Sequence, residues 1–294
     1  MSIFQVIILA IVQGFAELLP VSSSAHVVVA EKLMKLDPSS PQMTLLLVML
    51  HTGTMFAVIV YFWNQWKRTF FSSGDAFKRF AVRAIWATLL TLIVGYPIKE
   101  LIEKVVFKGV PKAEIENLFN HLEWIAPALA AAGVLILLAG LMEKRRMGVQ
   151  SKVYGDSVTM RQAGWMGAIQ GLSLPFRGFS RSGATISIGM LTGASKERAE
   201  RFSFALAVIL TPLAVGWELL RLIKASHEAS AAGTPIDLHG SIMTGLLGAF
   251  FSFLAGLVAL KWLSSWLEGG RWYLFGIYCL VASVVVFGLY RAGY

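Results

Sequence analysis

Charge is scarce in this chain. Only 15% of its 294 residues are Asp, Glu, Lys or Arg, whereas 56% are hydrophobic, and the mean hydropathy is strongly positive. An ordinary soluble domain carries about a quarter charged residues, so that class is excluded. Cysteine is nearly absent: the single Cys279 sits in an apolar run, which rules out an intrachain disulfide framework and marks a small core residue. No basic segment precedes the first apolar stretch, which starts at Ile3 and runs directly into Gln13 and Glu17; a cleavable signal peptide is therefore not expected. The net charge of +9 comes from basic residues gathered beside apolar spans, such as Lys67, Arg68, Lys78, Arg79 and Arg83, then Lys144, Arg145, Arg146, Lys152 and Arg161. That pattern belongs to loops facing the cytoplasm and anionic lipid, not to a nucleic-acid surface. The expected class is an all-α integral membrane protein without a nucleic-acid partner.

What is present are six stretches long and apolar enough to cross a hydrocarbon core, which takes about 20 helical residues: roughly 43–63, 80–100, 123–142, 202–222, 240–262 and 272–290. Residues 3–34 and 163–194 differ. Each is an apolar piece, a Pro/Ser/Gly-rich break and a second short piece, too short in either half to cross, so each is expected to be a re-entrant hairpin whose irregular tip is buried in protein or lines a cavity. Ala10-Ile-Val-Gln-Gly14 before Pro20 resembles Ala168-Ile-Gln-Gly171 before Pro175, which makes 1–150 and 151–294 two copies of one repeat. Three spans follow each hairpin, and an odd number of crossings inverts the second copy. The 101–122 loop, where Lys104, Lys108 and Lys112 are diluted by Glu103, Glu114 and Glu116, is expected outside with both termini, and the two polar tips are expected to meet inside the bilayer. Tyr61, Trp63, Trp66, Trp262, Trp266, Trp272 and Tyr273 are expected to form an interfacial belt, and Gly245, Gly248 and Gly256 to permit close helix packing.

Ionisable groups at membrane depth are expensive, so those in the two tips are read as functional. Gln13 and Glu17 are four apart, on one helix face, and offer oxygen ligands for a hard cation or an orientation for water; bridging hairpin backbone is an equal reading for Gln13. Mg²⁺ takes one or two carboxylates and completes its shell with water and phosphate oxygens, which suits a site assembled around a diphosphate. Ser22, Ser23 and Ser24 stand where a second short helix begins, and at least one is expected to cap it. Ser23 and His26 are three apart on one face, a minimal hydroxyl–imidazole pair in which His26 is a nucleophile or a general acid. Arg181 offers a planar guanidinium for two phosphoryl oxygens beside backbone N–H groups of a helix start, with hydroxyls from Ser180, Ser182 and Thr185. Arg177 is either a second phosphate contact or a snorkelling side chain. His51, Thr52 and Thr54 interrupt a span and read as interhelical hydrogen-bonding residues or as support for the site.

The runs Glu17-Leu-Leu-Pro-Val-Ser-Ser-Ser-Ala-His26 and Gly178-Phe-Ser-Arg-Ser-Gly-Ala-Thr185 resemble the two signature motifs of the bacterial undecaprenyl pyrophosphate phosphatase family, also called the bacitracin-resistance family. The chain length, the six spans with two hairpins, and the Met190-Leu-Thr-Gly-Ala-Ser-Lys segment extend the resemblance over nearly the whole chain. It implies hydrolysis of undecaprenyl pyrophosphate to the monophosphate carrier of peptidoglycan synthesis, with Mg²⁺ or Ca²⁺, at the outer face of the bacterial inner membrane. It also implies that the family's E/Q-x-x-x-E element falls on Gln13 and Glu17, its serine and histidine on Ser23 and His26, and its arginine cradle on Ser180 and Arg181 with Thr185 nearby. Two positions depart from the pattern: many members have glutamate where Gln13 stands, and Arg177 precedes Gly178 where a proline is common. The expected partners are the diphosphate lipid, the bilayer and, as one option, a second copy of the chain. Inverted repeats with broken helices also suit a transporter or flippase for the monophosphate lipid; Glu17 with Ser23 and His26 favours the phosphatase.

Overall fold

A computed structural model gives the structure, which describes residues 1–38, 40–106, 121–146, 157–231, 237–267 and 271–293. The junction between the two halves, the loop residues Lys108, Lys112, Glu114 and Glu116, Lys152, and the side chains of Arg146, Trp262 and Trp266 lie outside what is described. Among the described residues every regular element is a helix: α1 (Ile3–Leu18), α2 (Ser23–Leu33), α3 (Pro41–Thr69), α4 (Gly74–Leu101), followed by a π-helical turn (Ile102–Val106), α5 (Leu122–Arg146), α6 (Met160–Ser173), α7 (Arg181–Leu191), α8 (Lys196–Ala231), α9 (Leu238–Leu267) and α10 (Trp272–Arg291). The protein is an all-α, multi-pass membrane protein. Six helices, α3, α4, α5, α8, α9 and α10, are long and apolar enough to cross a bilayer, in agreement with the six expected spans.

The two interrupted stretches fold as pairs of short helices, α1 with α2 and α6 with α7, each pair in mutual contact. Local sequence sets their limits. Ser2 caps α1 through a capping box with Gln5, and Thr159 caps α6 through the same device with Gln162, which satisfies orphan N–H groups at each start. Leu19, the residue before Pro20, is extended (φ −82°, ψ 144°), as the proline ring requires, and α1 stops there. In the second pair Gly178 has φ +102°, a conformation natural only to glycine, and it turns the chain towards α7.

Each first arm leans on a span from the other half: α1 on α9, and α6 on α4. The Gln-Gly pair does the same work in both arms. Gln13 and Gln170 are fully buried, and a Cβ on Gly14 would come within 2.4 Å of the Ala255 Cβ on α9, as one on Gly171 would come within 2.5 Å of the Thr91 carbonyl oxygen on α4. These backbones can meet only because no side chain intervenes. The remaining frame is α5 against α10 and α3 against α8 and α9. Gly245, Gly248 and Gly256 do face α3, where added Cβ atoms would lie 2.9–3.0 Å from Met49, Leu46 and Ala57.

The aromatic belt needs correction at two positions. Trp272 is 1% exposed and donates its indole N–H to Ser187 Oγ on α7 at 3.1 Å, and Trp66 is also buried, with its ring stacked on Phe62. Both are core residues; Trp63 is exposed. Cys279 is fully buried, its thiol 3.6 Å from the Pro20 carbonyl oxygen.

Candidate active site

Close packing brings the two helix breaks together. A Cβ on Gly183, in the first turn of α7, would stand 2.9 Å from the Pro20 carbonyl oxygen and 2.7 Å from Ile136 on α5, so glycine here lets the start of α7 touch the tip between α1 and α2. At that tip Ser22 takes a left-handed backbone (φ 66°), which costs a non-glycine residue roughly 1–3 kcal/mol. The surrounding hydrogen bonds hold it: the His26 backbone N–H and ring Nδ1–H both donate to the Ser22 carbonyl, at 3.3 and 2.8 Å. Across the gap Ser180 caps α7 by accepting the Gly183 N–H at 3.1 Å. Its hydroxyl proton remains available.

Glu17 joins the tips. Arg181 donates through one terminal nitrogen to Glu17 Oε1 at 2.6 Å. Ser23 Oγ donates to Oε2 in a short hydrogen bond, and Gln13 Nε2 donates to the same oxygen at 3.0 Å. His51, from α3, places Nδ1 3.0 Å from Oε2 and 2.8 Å from Gln13 Nε2. A carboxylate in so little solvent, with its side chain 10% exposed, is tolerable because a cation and several donors face it. Among the described residues the second terminal nitrogen of Arg181 is sealed from solvent without a hydrogen-bond partner.

Glu17, Ser23, His51 and Arg181 form one wall of a pocket of about 230 Å³. Its polar side carries Glu17, Ser22, Ser23, Ser24, His51, Ser173, Arg177, Ser180, Arg181 and Ser182. Its apolar side is made by Val48, Met55 and Val58 of α3 with Phe204, Ala207, Val208, Leu210 and Ala214 of α8. Two arginines and several hydroxyls suit an anion of distributed charge, and the apolar wall between two spans suits a lipid chain. The pocket is amphipathic in the way a lipid phosphate is.

The expected site residues divide into two groups. Glu17, Ser23, Arg177, Ser180, Arg181 and Ser182 converge on the pocket. His26 does not line it. Its Nδ1 is committed to the Ser22 carbonyl, its Nε2 lies 2.7 Å from Tyr278 Oη on α10, and the two rings stack at 5.7 Å. The same-face spacing of Ser23 and His26 does not pair them: Ser23 donates to the charged Glu17 oxygen, the stronger acceptor. Thr185 is fully buried and bonds to the Arg181 carbonyl at 2.8 Å and to Ser203 Oγ of α8 at 2.6 Å; it ties α7 to α8 behind the pocket. Gln13 is fully buried, outside the lining, and turns its amide nitrogen to Glu17, as it must beside a carboxylate.

His51, read from the sequence as interhelical hydrogen bonding or support for the site, and Ser24, one of three serines read as candidate helix caps, both line the pocket. For His51 the signal was there, an ionisable side chain within an apolar span, but its neighbourhood with Glu17 crosses 34 residues of chain and is set by how α3 packs on α1. Among the described residues no group of three or more His, Cys, Asp or Glu is placed to hold a metal. Glu17 is the only acidic residue of the pocket lining. It fits as a single hard-oxygen ligand for a cation that takes its other ligands from phosphate and water; Gln13, presenting a donor, does not add a second.

The model of the family described as bacitracin resistance protein BacA matches residues 6–285. Undecaprenyl-diphosphatase 2 of Acinetobacter baylyi is 54% identical over 289 residues, 98% of each chain. Undecaprenyl-diphosphatase 2 of Burkholderia thailandensis and undecaprenyl-diphosphatase 1 of Burkholderia pseudomallei are each 32% identical over 295 residues, 98% of this chain and 97% of theirs.

Proposed function

The chain belongs to the bacitracin resistance protein BacA family; it is an undecaprenyl-diphosphatase, and we propose that it cleaves undecaprenyl pyrophosphate in the pocket where the two helix breaks meet. The reaction returns undecaprenyl phosphate, the lipid carrier of cell-wall synthesis, and inorganic phosphate. The observation that carries the placement is the Glu17–Arg181 ion pair with Ser23 on the same carboxylate, which joins both signature runs in one amphipathic pocket.

In this pocket the Arg181 guanidinium and the hydroxyls of Ser180 and Ser182 hold the distal phosphate, where charge spreads over three oxygens in the transition state. Arg177, on the same wall, supplies a second positive charge for the diphosphate. Ser23 Oγ attacks the distal phosphorus and gives its proton to Glu17, to which it is already hydrogen bonded. A bond from Ser23 oxygen to phosphorus forms as the bridging P–O bond breaks, and the electron pair stays on the lipid monophosphate. A water oxygen then bonds to the phosphorus as the Ser23 Oγ–P bond breaks, Oγ takes back the proton held by Glu17, and the protons of the water leave with inorganic phosphate. Attack by a water held at Ser23 balances in the same way. His26, outside the lining, acts by holding the Ser22 turn, and Thr185 by fixing the first turn of α7. A divalent cation, Mg²⁺ or Ca²⁺, would be held by Glu17 and would offset phosphate charge.

The two helix pairs are re-entrant hairpins of inverted repeats, 1–150 and 151–294. The matching Gln-Gly contacts of α1 with α9 and α6 with α4 support this. With the basic clusters on the cytoplasmic side of the bacterial inner membrane, the pocket opens outward. A lipid transporter would need the cradle but not a serine on a buried carboxylate, and is not favoured.

The test is phosphate release from a C55 isoprenyl diphosphate by purified protein in detergent, with and without Mg²⁺ or Ca²⁺. Glu17→Ala and Arg181→Ala are each expected to abolish cation-dependent release; undiminished release from either variant would move the reaction out of this pocket.

A further inference from the structure

The last span, α10, holds the first tip from outside the two helix pairs. Its Cys279 thiol lies 3.6 Å from the Pro20 carbonyl oxygen, and its Tyr278 Oη lies 2.7 Å from His26 Nε2, with the two ring planes 14° apart. These contacts bracket the turn that leads into Ser23. Tyr278 stands on the exposed face of α10 with Val281 and Val285, a face that meets hydrocarbon in a spanning helix. A phenol hydroxyl there has no water to bond, so it needs a partner within the protein. His26 Nε2 is that partner.

The other ring nitrogen sets the direction of this bond. Nδ1 lies 2.8 Å from the Ser22 carbonyl oxygen, which can only accept, so Nδ1 carries a proton. In the neutral imidazole Nε2 is then bare and accepts from the phenol. Resting on the pocket assigned above, we propose that Tyr278 is a positioning residue of the phosphatase: its O–H bond to Nε2 keeps the His26 proton on Nδ1, and so holds the Ser22 turn that presents Ser23 to Glu17. Without that donor the neutral ring can carry its proton on Nε2, and Nδ1 and the carbonyl oxygen then repel. The turn has strain to contain, since Ser22 is left-handed at φ 66°. Of the two His26 donors to its carbonyl, the backbone N–H is the longer, at 3.3 Å. Neither His26 nor Tyr278 lines the pocket, so the effect falls on how Ser23 is aimed, not on how lipid is held.

Tyr278→Phe keeps the stacked ring and removes only the hydroxyl. In phosphate release from a C55 isoprenyl diphosphate it is expected to lower kcat about three- to tenfold, with KM changed by less than about twofold. His26→Asn puts an amide N–H, which needs no tautomer, where Nδ1–H stands. This variant is expected to turn over, and adding Tyr278→Phe to it is expected to cost less than about twofold. The ring itself is read by NMR on ¹⁵N-histidine-labelled protein in detergent micelles, the five histidines being few enough to resolve and His26→Asn giving the assignment. The expected wild-type ring is protonated on Nδ1 and bare on Nε2, and Tyr278→Phe shifts the proton towards Nε2. A wild-type ring protonated on Nε2, singly or doubly, overturns the proposal. So does an unchanged kcat in Tyr278→Phe, or an equal loss in the His26→Asn background. Folded His26→Asn without turnover would assign chemistry to the imidazole itself and overturn it as well. Glu17→Ala or Arg181→Ala retaining activity would instead remove the pocket assignment, which the ring signals, read without turnover, do not depend on.

Discussion

Breaking the Glu17–Arg181 pair one residue at a time is expected to damage the fold more, per residue, than removing both. The pair is short, 2.6 Å, and its side chains are only 10% and 21% exposed, so each partner left alone is a charge held in a poor solvent. Stranding one member of a buried pair costs about 3–5 kcal/mol. In Arg181→Ala, Glu17 keeps the donors Ser23 and Gln13, which reduces the loss to roughly 2–3 kcal/mol. In Glu17→Ala, Arg181 has already one terminal nitrogen without a partner, and Ser23 and Gln13 lose their acceptor, so about 3–4 kcal/mol is expected. The double variant strands no charge, and its loss should fall short of the sum by about 2 kcal/mol. Thermal unfolding of all four proteins in one detergent reads this, each single change lowering Tm on the order of 5–10 °C. Strict additivity, with a coupling below about 0.5 kcal/mol, would refute the claim that this ion pair fastens the two tips to each other.

Ser23→Ala is expected to reduce kcat by at least about a thousandfold while leaving the lipid bound; single-turnover assays that find chemistry intact would exclude Ser23 as the attacking or water-holding group. Gly183→Ala would drive a methyl group against Pro20 and Ile136, and should cost about 1–3 kcal/mol and at least tenfold in activity, checked by Tm and phosphate release together. Trp272→Phe removes a buried indole and its hydrogen bond to Ser187; a loss of roughly 1–3 kcal/mol is expected, with the Tm falling but KM unchanged. Stripping divalent cations with a chelator should stop turnover, and readdition of Mg²⁺ or Ca²⁺ should restore it; full activity in chelator would show that Glu17 works without a metal.

Much of this protein is written along the chain. Bilayer thickness makes span length a property of local composition, so the six spans could be counted before any packing was known. Pro20 marks the first helix break, because a proline pushes the residue before it out of the helical region, as it does Leu19. The cost of burying Glu17 and Arg181 marks them as functional. The tertiary structure decided which of the polar residues meet. Helical spacing put Ser23 and His26 on one face, yet Ser23 turned to Glu17 while His26 went to the Ser22 carbonyl and to Tyr278, 252 residues away. Composition placed Trp66 and Trp272 at an interface, where α10 and α3 packing instead buried both. His51 became part of the pocket only because α3 lies beside α1. Spacing along a helix states which residues can share a face; which partner each takes depends on charge and close packing between helices far apart in sequence, where a carboxylate outcompetes an imidazole for the nearest hydroxyl.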